Sequence, residues 1–258
     1  MRIVPLVVAI VFLSTAVFAG EIREFDIPTL ERLGSELSHR DEIAARASDA
    51  VLGTQPAARA LKLRGWITEP GKSEDKVHLI AETASGPCLA YTVTFSGSGK
   101  PQVEDRRGQA LPPNVAVRYK ARNTAANALK GRLFNIKYNF EVLNDPDGSG
   151  FLVYALGATT DPDEVVLAGH FRVTVSADGL KRERVDALSR TLVVQPKNLK
   201  SGTVALFLIQ LVSDKPVETL IYTSNLVRLP IAVGTPNRHV WSVANGKMED
   251  TGKLAEKK

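Results

Sequence analysis

The residues best placed to do chemistry lie in one expected hairpin. Residues 165–176 and 181–186 read as strands, joined by Ala177-Asp178-Gly179, a three-residue loop that suits a left-handed glycine. Alternation sends Phe171, Val173 and Val175 one way, and His170, Arg172, Thr174 and Ser176 the other. The loop register then pairs Ser176 with Leu180, Thr174 with Arg182, Arg172 with Arg184, and His170 with Asp186. A carboxylate opposite an imidazole can orient it for proton transfer. With Ser189 close by in sequence, a hydrolase using His170 and Asp186 is one reading. No Gly-x-Ser-x-Gly elbow surrounds Ser189, and a structural cross-strand pair is the other reading.

The same face carries Arg172, Arg182 and Arg184, with Lys181 and Arg190 nearby. Facing guanidinium groups repel unless water or an anion separates them. The face is therefore expected to be solvated, or to meet an acidic envelope polymer or protein.

Two acidic turns and a thiol complete the candidates. Asp145-Pro-Asp147-Gly-Ser149-Gly150 resembles the front of an EF-hand loop, which makes Asp145 and Asp147 candidate metal ligands. The position that should supply a bidentate Glu is Leu156, and the flanks read as strands, so a polar hairpin turn is expected instead. Asp161 and Asp163 lie one strand further on, roughly 30 Å away at about 3.3 Å per residue. Cys88 would need a base to act as a nucleophile. A hairpin register that sets Glu82 against Cys88 and His78 against Thr92 leaves His78 roughly 13 Å from the thiol, so Cys88 reads as a small buried side chain. Neither a Gly-rich phosphate loop, nor zinc-ligand spacing, nor interleaved aromatics for single-stranded nucleic acid is found. No cofactor and no nucleic-acid partner is expected.

These residues must be held by a mixed scaffold. Residues 27–52 predict a helix, with Asp26 as N-cap, Pro28 in the first turn, and an inner stripe of Leu30, Leu33, Leu37, Ala44, Ala47 and Val51. Arg40-Asp41 interrupts that stripe, where a kink would fall. The period then changes to two over 61–67, 77–82 and 88–95, and 96–109 reads as a polar loop. Pro112-Pro113 introduces a second helix to about residue 130. Beyond it, strands are expected at 136–143, 151–159, 165–176, 181–186, 204–212, 218–228 and 239–243. Residues 204–212 are apolar at nearly every position, as for a central strand. The expected fold is α+β, a curved, mainly antiparallel sheet with two helices packed on it. One domain over 20–250 is expected, with helix-plus-sheet halves at 20–110 and 111–250 as a further division, and a disordered tail at 251–258.

The first residues carry a different message. A basic start leads into an apolar run from Ile3 to Leu13, closed by Val17 and Ala19 at the −3 and −1 positions of a secretory cut. The run is too short to span a bilayer with anchors on both sides. Residues 1–19 thus predict a signal peptide, a periplasmic or secreted location, and no transmembrane anchor. The 258-residue chain has an ordinary globular composition, 44% hydrophobic and 24% charged. Its net charge of +5 is too mild to imply nucleic-acid binding. Its single cysteine excludes an internal disulfide.

Four stretches resemble a known group. They are Leu152-Val-Tyr-Ala-Leu-Gly-Ala-Thr-Thr-Asp-Pro, Gly169-His-Phe-Arg-Val-Thr-Val-Ser-Ala-Asp-Gly, Asp186-Ala-Leu-Ser-Arg and Leu211-Val-Ser-Asp-Lys-Pro-Val-Glu-Thr. They are similar to an uncharacterised family of exported bacterial hypothetical proteins, over a span from the first helix to Trp241. The resemblance implies cysteines near Phe134 and Leu192, which this chain lacks. It implies export and supplies no activity. The favoured reading is an exported binding or envelope accessory protein; the alternatives are the periplasmic hydrolase and an assembly partner presenting sheet edges.

Overall fold

The structure, a computed structural model, describes residues 21–55, 58–59, 61–97, 99–196 and 203–254. The expected signal peptide lies outside the described residues.

Helix α1 (Ile27–Thr54) starts where the Asp26 carboxylate accepts the Thr29 N–H at 2.9 Å. It runs unbroken through Arg40-Asp41. Arg40 is buried there and satisfied. It donates to Glu36 one turn back, and to the carbonyl and hydroxyl oxygens of Thr68 at 2.7 and 2.8 Å. The polar pair that interrupts the apolar stripe thus has partners of its own, and no kink results.

Four antiparallel strands follow as a meander: β1 (Leu63–Glu69), β2 (Glu74–Thr83), β3 (Gly86–Ser96) and β4 (Gln102–Gln109). β4 occupies the segment expected to be a loop. Its charges form ion pairs within the strand, Glu104 with Arg106 and Asp105 with Arg107, as suits an exposed sheet edge. The rear half of α1 (Ile43, Ala47, Val51) packs on the inner face of β2 and β3.

Helix α2 (Pro113–Ala128) leads into β5 (Lys137–Asn144), β6 (Phe151–Ala158), β7 (Glu164–Ala168), β8 (Phe171–Val175), β9 (Arg182–Ala187) and β10 (Val193–Pro196). The sheet order is β5-β6-β8-β9, and β7 pairs with β10 in a separate ribbon. The single strand expected over 165–176 is thus two, parted at Gly169, whose φ of +123° a side chain would strain. β6 is the buried centre. Phe151, Val153 and Ala155 face α2, while Leu152, Tyr154 and Leu156 face the front half of α1. A strand covered on both faces is apolar throughout.

The chain ends with β11 (Leu206–Ile209), α3 (Glu218–Val227), β12 (Ile231–Gly234), β13 (His239–Ala244) and β14 (Lys247–Lys253). β11 pairs in parallel with β12 across α3, and the sheet order is β11-β12-β13-β14. Two expectations fail here. Of the 204–212 run only Leu206–Ile209 is a strand, and it lies at a sheet edge, with Phe207 54% and Ile209 63% exposed. The expected strand at 218–228 is instead the helix Glu218–Val227, buried from Glu218 to Ser224 on every side and capped by a left-handed Arg228. A helix buried all round shows no 3.6-residue period, and Thr219, Ile221 and Thr223 imitate strand alternation. The expected tail is likewise cut back, because residues 251–253 belong to β14, which Asn245-Gly246 turns back on β13.

The expected two helices on one curved sheet are therefore replaced, among the described residues, by three helices and separate, mostly antiparallel sheets. α1 enters two cores, one with β2 and β3 and one with β6, α3 and the last sheet.

α1 and α3 touch at Gly34, where a Cβ would lie 2.5 Å from the Glu218 carbonyl oxygen and 2.6 Å from Ile221 Cβ. Gly34→Ala is expected to destabilise by about 1–3 kcal/mol, as overpacking does. Gly53→Ala, on the same helix but in open space, is expected to stabilise by about 0.5–1 kcal/mol. Urea unfolding of both variants checks this; equal effects would remove the close approach from the account.

Candidate functional site

Arg172 and Glu218 are both fully buried charges. Arg172 projects from β8 with no exposed surface. Its Nε and Nη2 donate to Asp186 Oδ2 at 3.2 and 2.8 Å, and its Nη1 donates to Glu218 Oε1 at 2.6 Å. Nη2 also donates to the Arg23 carbonyl, and the guanidinium lies 4.8 Å from the centre of the Phe25 ring. Tyr154 donates its hydroxyl to the same Glu218 oxygen at 2.7 Å. Burial opposes the charge on Arg172, but Glu218, Tyr154 and Asp186 outweigh it and hold the guanidinium firmly protonated.

Residues ahead of α1 close over this centre as a strap. Ile22 and Phe25 are buried. The Arg23 N–H donates to Asp186 Oδ1 at 3.3 Å. The Arg23 side chain grips Asp145 at 2.7 and 2.8 Å and reaches Asp147 at 3.0 Å. Arg184 donates to Asp186 Oδ1 at 2.6 Å and to the Glu21 carbonyl.

The expected sites are redistributed by this arrangement. The β8–β9 register sets Arg172, not His170, against Asp186, and Thr174 against Arg184. The shift comes from an irregularity between Thr174 and Val175, which pairs Val175 with Arg182. Asp186 is thus occupied by arginines, and no His170–Asp186 dyad forms. His170 is 2% exposed; its Nδ1 accepts the Gly157 N–H at 2.9 Å, and its Nε2 is buried without a hydrogen-bond partner. Burial pulls its pKa down to about 4, so the ring is neutral. Ser189 donates to the Thr191 carbonyl at 2.9 Å. The expected basic face divides: Arg172 is in the core, Arg182 is exposed, and Arg184 is partly exposed. Asp145 and Asp147 are held together by Arg23, and the described residues contain no cluster of three or more His, Cys, Asp or Glu able to hold a metal. Cys88 is buried opposite Ala81, with Glu82 opposite Pro87, and His78 lies against Thr92 as expected.

A second polar centre was not legible. Glu141 on β5 is 1% exposed and accepts from Trp66 Nε1 at 2.6 Å and Thr68 Oγ1 at 2.8 Å. Its largest influence is burial, which pushes its pKa up to about 7, while Arg40 works against that. Nearby Asp41 is raised by burial too, and accepts from Tyr222 at 3.1 Å.

A cleft does open beside Asp186. It encloses about 970 Å3 and is bordered by the strap, β9 and the segment after β11. Three guanidinium-bearing residues line it: Arg132 after α2, Arg184 on β9, and Arg190 beyond β9. Arg190 donates to the Leu211 carbonyl at 3.2 Å, and Arg132 is exposed. Glu21, Glu24 and Asp214 also line the cleft. Glu24 is engaged by Ser213 at 2.8 Å and Lys215 at 3.4 Å. Arg132 carried no sequence signal, because it lies far along the chain from the basic hairpin. No protein-family model, no curated protein and no solved structure matches the chain.

Two outcomes follow from these networks. Arg172→Met alone is expected to cost about 3–5 kcal/mol, because it strands two buried carboxylates. In the double variant Arg172→Met/Glu218→Met the loss should fall short of the sum of the singles by at least about 1 kcal/mol; additive losses in urea titrations would show that the pair is not coupled. The second outcome concerns Glu141. Its folded pKa is raised, so its contribution is full below its ordinary value of 4.5 and lost as pH rises through about 7. His170 is depressed, so its contribution is full above 6.5 and lost as pH falls towards about 4. Glu141→Gln is therefore expected to gain on wild type between about pH 5 and about pH 8, by on the order of 3 kcal/mol. Comparing the two proteins at each pH cancels the His170 slope. A gap in unfolding midpoint that does not change with pH would refute this.

Proposed function

We propose that this chain is an exported protein that acts by binding, and that it holds an anionic group of its partner in the cleft of Arg132, Arg184 and Arg190. The observation that carries the reading is the convergence of three guanidinium-bearing residues, from separate segments, on one large cleft. Clefts of roughly 300–1,000 Å3 are the usual size of ligand sites. Guanidinium groups match carboxylate and phosphate geometry through paired N–H donors. Asp186, the one carboxylate that could neutralise the cleft from β9, is already shared between Arg172 and Arg184.

Export is supported by the leader pattern at residues 1–19 and by the resemblance to exported proteins. Among the described residues no helix is long and apolar enough to cross a membrane. The hydrolase reading loses its basis, since His170 and Asp186 serve different partners.

The test uses protein recovered from the cell envelope, whose amino terminus is read first. A start at Gly20 is expected; a start at Met1 overturns the export half of the reading. Tripolyphosphate and an acidic peptide are then titrated by calorimetry at low salt and at about 0.15 M salt, where the Debye length is about 8 Å. Binding should weaken with salt and be lost in Arg132→Glu/Arg190→Glu. No binding of either probe, or equal binding by the variant, overturns the assignment of the cleft.

A further inference from the structure

The cleft has a second property besides its arginines. Arg184, Val185, Asp186 and Ala187 all line it. Consecutive side chains of a strand point to opposite faces. A cleft that meets four residues in a row therefore meets the strand edge-on. β9 is the last strand in the order β5-β6-β8-β9, so among the described residues it has a strand on one side only.

The register says which backbone groups lie on the open side. Leu188 donates its N–H to the His170 carbonyl at 3.0 Å. Antiparallel pairing has a period of two. Asp186 and Arg184 accordingly direct their N–H and C=O towards β8, opposite Arg172 and Thr174. Val185 and Ala187 direct theirs outward, into the cleft. These are donors and acceptors in the spacing that an added strand requires.

We infer that the cleft takes an extended peptide, which pairs as a strand with Val185 and Ala187 on the open edge of β9 and sets an acidic side chain against Arg132 and Arg190. This rests on the reading that the cleft binds an anionic group, and specifies the partner as a polypeptide. Glu21 and Asp214 line the same cleft, so a chain acidic throughout is partly repelled. One acidic side chain among neutral neighbours fits both the guanidinium groups and these carboxylates. The apolar border of Ile22, Leu211 and Val212 suits aliphatic neighbours in that peptide.

The experiment separates backbone pairing from charge. A panel of Val- and Thr-rich heptapeptides, each with one Glu at a different position, is titrated against the full-length mature protein, with tripolyphosphate as the non-peptide probe. The best peptide is then made in two N-methylated forms, one at odd and one at even positions. Only alternate N–H groups of an added strand face β9. One methylated form should bind at least about tenfold more weakly, the equivalent of about 1.4 kcal/mol, and the other within about twofold. Arg132→Glu/Arg190→Glu should weaken the peptide and tripolyphosphate alike. Equal binding by both methylated forms, or tripolyphosphate binding without any peptide binding, overturns the strand pairing and leaves the anion cleft standing. Failure of both probes overturns both readings. A dimer in sedimentation that the peptide cannot dissociate assigns the edge to a second copy, and also overturns the inference.

Discussion

The guanidinium of Arg172 is the constraint on which the surrounding structure depends. A charge with no exposed surface is tolerated only where opposite charge and hydrogen-bond acceptors surround it. Meeting that demand fixes elements distant in sequence. β9 must present Asp186, α3 must begin with Glu218 pointing inward, β6 must offer Tyr154, and the strap must turn its Arg23 carbonyl towards the centre. Once Asp186 and Glu218 are committed, Arg23 and Arg184 are drawn in, and Arg23 in turn secures the Asp145–Asp147 turn. One buried cation thereby organises the ends of a sheet, a helix and the chain's amino-terminal segment.

The same commitment explains the cleft. With Asp186 shared between Arg172 and Arg184, and Glu24 held by Ser213 and Lys215, Arg132 and Arg190 have no carboxylate partner among those groups. Of the four carboxylates that line the cleft, Asp186 and Glu24 are thus engaged by neighbours, which leaves Glu21 and Asp214 beside the three guanidinium groups. The buried centre and the cleft meet at one strand, β9, whose inner edge is bound to β8 and whose outer edge has no strand partner among the described residues.

The sequence was legible where one face of an element was buried and the other wet. The front and rear stripes of α1, the Asp26 cap and the first three strands followed from periodicity. It was illegible in a helix buried all round and where pairing was long-range, whereas the fully buried strand β6 was read correctly from its apolar run. α3 has no polar face to betray its pitch, so it read as a strand. β11 has apolar residues on both faces but occupies an edge, so it read as a central strand. The register of the basic hairpin failed through one irregularity near Thr174, enough to replace His170 by Arg172 opposite Asp186. Nothing local to Glu218, Arg23, Arg132 or Glu141 announced their roles. Their partners lie up to 163 residues away, in the case of Arg23 and Asp186, and no sequence period encodes such distances.

The strap and the front of α1 have a temporal consequence. Their partners are made late: Arg23 waits for Asp145 and Asp186, and Glu31 waits for Lys247 and Met248, the latter 217 residues further on. During vectorial synthesis the amino-terminal segment emerges first and can be locked last. Contacts of such separation slow folding, because chain closure must be completed before they contribute. The contacts of Glu31 with Lys247 and Met248 consequently cannot form until β14 has been made, long after Asp145 and Asp186 are available to Arg23.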